Sequence, residues 1–143
     1  MIWLPRTLAR ADGRRGVRAS LAGRTRIGDL YGDYSRRSGI AAMVFPTTLV
    51  PAPAIDAGMT VQAGASALPF NVAVARNISP GSTAGVPGPV LPAGLTRDGL
   101  PVSVELDGPA GSDRALLALG LGVERALGPI ERPREPYRKS ASS

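Results

Sequence analysis

The feature that most limits what this chain can fold into is the stretch from Pro46 to Gly94, where proline and glycine break every local pattern. Residues 46–58 read PTTLVPAPAIDAG, and Pro46, Pro51 and Pro53 each remove a backbone donor, so an extended loop is expected there. Residues 59–94 are dense in Gly, Pro, Ser and Thr and admit only short helices, with Leu68 to Ala75 one candidate. Loops beyond ~12–15 residues are uncommon in a compact domain. Part of the surface such a loop should cover is therefore expected to belong to another segment.

Periodic elements flank this stretch. Ile27, Leu30, Tyr31 and Tyr34 recur at helical spacing, with Asp29, Asp33, Arg36 and Arg37 on the other side, which predicts a helix over 25–38 closed by Gly39. The apolar run Ala41 to Phe45, stopped by Pro46, predicts a short strand buried on both faces. Val90 and Leu91 lead to Thr96-Arg97-Asp98-Gly99, a hairpin turn. Leu100, Val102, Val104 and Leu106 then alternate with Pro101, Ser103, Glu105 and Asp107, a strand with one apolar face. Ser112-Asp113 opens a second helix with the stripe Leu116, Leu119, Val123 and Leu127, ended by Gly128-Pro129. Gly120 and Gly122 each weaken that helix by ~1 kcal/mol. The fold class expected is α/β.

The chain has no Cys and no His, and its one Lys is Lys139. Disulfides, thiolate or imidazole metal sites, and histidine-based triads are thereby excluded, and no cofactor is expected. The net charge of +6 is concentrated in residues 1–26, which hold seven arginines against Asp12; the remainder balances ten basic residues against ten acidic. Residues 1–24 read as an Arg-rich disordered arm, 25–128 as the folded part, and 129–143 as a flexible tail. No apolar run is long enough to span a membrane, and a secretory leader is lacking, so a cytoplasmic location is expected. A small nucleic-acid-binding protein using the basic arm is one functional class; without interleaved aromatics to stack on bases it is not the favoured one.

Chemistry-bearing candidates are few. Glu105 and Asp107 share a strand face opposite the apolar one, and a solvated surface is the expected account of them. Ser79, Ser82 and Thr83 lie among Gly81, Gly85 and Gly88, where backbone N–H groups can turn toward a ligand, but no base accompanies them in the sequence.

Residues 76–117, RNISPGSTAGVPGPVLPAGLTRDGLPVSVELDGPAGSDRALL, resemble the C-terminal segment of the amidase signature family. The resemblance rests on Ala84-Gly85-Val86-Pro87, Pro92-Ala93-Gly94, Gly99-Leu100-Pro101 and Gly108-Pro109-Ala110-Gly111-Ser112-Asp113, in that order, with Val44-Phe45-Pro46-Thr47-Thr48 upstream. It extends over about residues 25–128, and its wording leans toward members acting on mandelamide or indoleacetamide. It implies a C-terminal fragment of a mixed-sheet fold with short strands, a hairpin and flanking helices. The activity implied is carboxamide hydrolysis through an acyl-serine, using a serine, a cis-peptide serine and a lysine, none of which can be placed here. Asn77, Ser82, Thr83 and Gly85 are then implied as substrate-pocket residues. A small carboxamide would be bound only after completion by an N-terminal half. The alternative is a non-catalytic partner of a split amidase, and self-association through exposed apolar surface is expected of the chain alone.

Overall fold

A computed structural model describes residues 13–133, with residues 13–15 by backbone alone. Helix α1 spans Gly13–Ser38, followed by β1 (Met43–Pro46), β2 (Thr60–Ala63), β3 (Ser66–Pro69), α2 (Phe70–Ala75), α3 (Ile78–Ala84), β4 (Val90–Leu95), β5 (Pro101–Asp107) and α4 (Asp113–Leu127). The architecture is α/β, with all strand pairs antiparallel.

α1 begins at Gly13 and not at residue 25, so residues 13–24 are helical and only 1–12 of the expected arm lie outside the described residues. Arginine and alanine are good helix formers, and the proline-free segment to Arg24 propagates the helix although residues 17–24 are all exposed. Val17 and Leu21 are 59% and 56% exposed. Of the expected tail, residues 134–143 lie outside the described residues.

The main sheet has the order β1-β5-β4. Val44 stands opposite Leu106, and Leu91 opposite Val104, on the face that α4 covers. There Leu106 and Leu116 are fully buried. α4 does not reach β1, and Val44 is 61% exposed. The expectation of a strand buried on both faces is thus not met: β1 is an edge strand, with one face half-covered. The hairpin after β4 forms as expected. Thr96 N–H donates to Leu100 O at 2.8 Å, and Gly99 N–H to Thr96 O at 2.9 Å. Gly99 takes the positive φ of 81° that the turn requires.

The Pro/Gly-rich stretch is more ordered than its composition suggests. β2 and β3 form a hairpin turned through Gly64 (φ 62°), and two short helices follow. The prolines fall where a missing donor does no harm: Pro46 and Pro69 end strands, and Pro80 lies in the first turn of α3. Elements of four to seven residues are too short for a periodicity to show in the sequence.

Gly120 is buried in α4, where a Cβ would meet Leu91 and Leu106 at 3.7 and 3.8 Å, ordinary contact distances. Gly120→Ala should therefore raise stability by about 0.5–1 kcal/mol, because the helix gains propensity without a clash. Thermal melts followed by circular dichroism check this, and a lowered midpoint would show that α4 lies closer to the sheet.

Among the described residues the buried apolar side chains are Val61, Ala73, Leu106 and Leu116. No described helix is long and apolar enough to cross a membrane. The chain alone is expected to bind a dye that reports apolar surface and to elute as associated species. A sharp-melting, dye-silent monomer would contradict this.

Candidate functional site

The second face of β5 holds an unexpected centre. Glu105 and Asp107, two residues apart, project to the side away from α4 and are only 7% and 1% exposed. The expected solvated surface is overturned, because α1, α3 and the α3–β4 connection lie over this face. Tyr31 of α1 brings its hydroxyl toward Asp107. Gly81 of α3 is buried directly on Asp107: a Cβ there would collide with the carboxylate, 3.0 Å from Cγ and closer still to Oδ2. At Gly88 a Cβ would lie 2.8 Å from Asp107 Oδ1 and 2.9 Å from Glu105 Oε1, so both carboxyls converge on that glycine. The two glycines are therefore the cradle in which the acid pair is enclosed.

Electrostatics follow from the enclosure. Burial, and then the neighbouring Asp107, push the Glu105 carboxyl above the usual carboxylate range. Burial also raises Asp107, although hydrogen bonding by its neighbours works the other way. Tyr31 is pushed up to about 12, mainly by burial and then by Asp107. Glu105 Oε2 and Asp107 Oδ2 are buried without a hydrogen-bond partner. Two adjacent buried carboxyls, with no cation facing them among the described residues, ionise together only at a cost, and that cost favours a proton kept between them. Such a pair can hold and release one proton.

The residues expected to line a pocket are brought together on α3 and its ends. Asn77, the residue before the helix, donates from Nδ2 to Pro46 O at 2.7 Å and so ties α3 to the end of β1. Ser82 and Thr83 are exposed on the helix, as is Ser79 in its first turn. Gly85 ends it with φ 73°, and its N–H donates to Gly81 O at 2.9 Å. The Arg24 guanidinium lies over Gly85, 2.8 Å from where a Cβ would stand.

Two clefts lie elsewhere, along the proline loop. One of about 440 Å³ is lined by Val50, Pro53, Val61, Thr96 and Leu100, among others. Another of about 220 Å³ involves Pro46, Thr48, Pro101 and Ser103. Here Ser103 Oγ donates to Thr47 Oγ1 at 3.0 Å, which fixes the loop to β5. Neither cleft includes a residue of α3. Sequence reasoning had missed Tyr31, Gly81 and Gly88 as parts of one centre; the available signal was two strand acids alongside two glycines seven residues apart.

Gly81→Ala is expected to cost about 1–3 kcal/mol by forcing α3 off the carboxylate. Gly28→Ala, where a Cβ would meet only Ala84 O at 3.7 Å, should be tolerated. Urea unfolding of the two variants measures the contrast, and equal stabilities would show that α3 is not seated on Asp107.

Comparison with known proteins places this geometry. The family described as Amidase matches residues 9–117. An indoleacetamide hydrolase of Agrobacterium vitis is 44% identical over 105 residues, covering 73% of this chain and 22% of that protein. A mandelamide hydrolase of Pseudomonas putida is 50% identical over 54 residues, 37% of this chain and 11% of that protein. A crystal structure of an amidase is similar at a TM-score of 0.68 and 26% identity, covering 88% of this chain and 29% of its own. The chain thus spans 22% of the length of the indoleacetamide hydrolase it matches. Matched to the family over most of its residues and sharing the fold of the corresponding part of a solved amidase, the chain belongs to the amidase family.

Proposed function

We propose that these residues form the C-terminal, substrate-facing part of a carboxamide hydrolase whose catalytic group lies in sequence outside the 143 residues. The observation that supports it most is the 44% identity to an indoleacetamide hydrolase over 73% of the chain. Beside it stands the chemistry of the residues present. An acyl-serine mechanism needs a hydroxyl beside a base, and this chain has no His and only Lys139. Ser79, Ser82 and Thr83 are exposed hydroxyls with no such neighbour among the described residues.

The role left to them is binding. The hydroxyls of Ser82 and Thr83 accept from an amide N–H or donate to a carbonyl, next to the left-handed Gly85 that ends the helix under Arg24. Asn77 sets the entry of the helix through its bond to β1. A small aryl carboxamide is the substrate class proposed, by analogy with the indoleacetamide and mandelamide hydrolases it resembles. The catalytic part is the partner that completes the site.

The test is a chimera in which residues 13–128 replace the matching segment of the Agrobacterium vitis indoleacetamide hydrolase. The chimera should release ammonia from indoleacetamide, while the 143-residue chain alone should not. Changing Ser82 and Thr83 together to Ala in the chimera should raise KM by about tenfold, the loss of one or two hydrogen bonds of ~1 kcal/mol each. Turnover by the chain alone, or a folded but inactive chimera, would contradict the proposal.

A further inference from the structure

We infer that Asp107, paired with Glu105, is the positioning residue that seats α3 against the sheet, and that α3 is released when the pair loses its last proton. The seating itself stands on the geometry of the chain. Its consequence for substrate rests on the reading of α3 as pocket wall.

Little of what holds α3 is apolar burial. The helix is seven residues long, and its buried residue is Gly81, which carries no side chain. Its attachments include Gly81 on the Asp107 carboxylate, the Asn77–Pro46 hydrogen bond, the approach of α1 at Gly28 and Arg24, and the following connection, where Leu106 and Gly108 N–H of β5 and its end donate to Pro89 O and Pro87 O. An apolar anchor of the kind Leu116 gives α4 is missing from the helix. The contact with Asp107 therefore carries weight that apolar burial carries elsewhere.

That contact depends on charge. With one proton between them, Glu105 and Asp107 form at most a single buried anion beside the Tyr31 hydroxyl. With none, two like charges converge on Gly88, no cation faces them among the described residues, and water must enter. β5 cannot yield, since it pairs with strands on both sides. α3 can. Tyr31 is the titratable group that α1 turns to the pair, and it stays protonated until about pH 12. Arg24 lies at the far end of α3, over Gly85. The sequences of β1, α3 and β4 contain no titratable side chain. An acid raised in the folded state favours folding below its unfolded pKa and stops doing so as pH climbs through the folded value. The seat is thus firm in acid and weakens toward alkaline pH.

Amide hydrogen exchange of the 143-residue chain across pH, corrected for intrinsic rates, tests this directly. Protection of residues 78–84 should fall by up to about tenfold per pH unit where the released state is ionised and the seated pair still holds its proton, while α4, on the opposite face, keeps its protection. Glu105→Gln should remove the pH dependence of α3, Asp107→Asn should do the same, and Tyr31→Phe should leave it in place. The inference is overturned if α3 shows no pH dependence, if α3 and α4 lose protection together, or if Glu105→Gln still titrates. Because exchange needs no turnover, an inactive chimera would bear on the proposed function and not on this seat. In an active chimera the same transition should appear as a rise in KM with pH, abolished by Glu105→Gln.

Discussion

The structure depends on a single strand that buries its two faces by different means. β5 lies between β1 and β4 and offers Leu106 to one side and Glu105 with Asp107 to the other. On the first side the hydrophobic effect operates: Leu116 and Gly120 of α4 close over Leu106 and Leu91. On the second side burial works against the charged state of the acids, and that penalty favours a proton kept in the pair. Glycine makes both closures possible. Gly120 admits α4, and Gly81 and Gly88 admit the segments that cover the acids.

Everything farther from β5 is less well covered. α4 turns Leu117 and Leu121 to solvent at 60% and 55% exposure, and α1 carries Val17 and Leu21 past the body of the fold. With four buried apolar residues among those described, the hydrophobic term is small for a chain of this length. That is the condition of a piece cut from a larger layered structure, and it agrees with the 29% share of the solved amidase that the chain spans. The buried carboxyl pair matters more in this setting than it would in a full core, since few apolar contacts stand beside it.

How far the sequence foretold this differs by element. β5 and α4 were legible because alternation over Leu100 to Leu106 and the Leu116 stripe persist long enough to define a period. The β4–β5 turn was legible because Asp98-Gly99 has a local conformational preference. α1 was only half-seen: charge suggested an arm, whereas arginine is a capable helix former whatever its net charge. β2, β3 and α3 were hidden by their brevity. The carboxyl pair was visible as residues but not as a buried site. Alternation tells which side of a strand is apolar, yet it cannot tell that α1 and α3 return to cover the other side. Asn77, Ser82, Thr83 and Gly85 were found through resemblance, and the fold gathers them on one helix without locating a substrate.

The claim that the fold is organised around a proton held between Glu105 and Asp107 is most directly tested by carboxyl-carbon NMR titration of those two side chains. The account predicts that one of them keeps its proton well above the ordinary carboxylate range of about 4, and that its titration shifts the carbon signal of its neighbour. Two independent titrations near that ordinary range would contradict it, because they would mean that both acids are solvated and that β5 has a wet face.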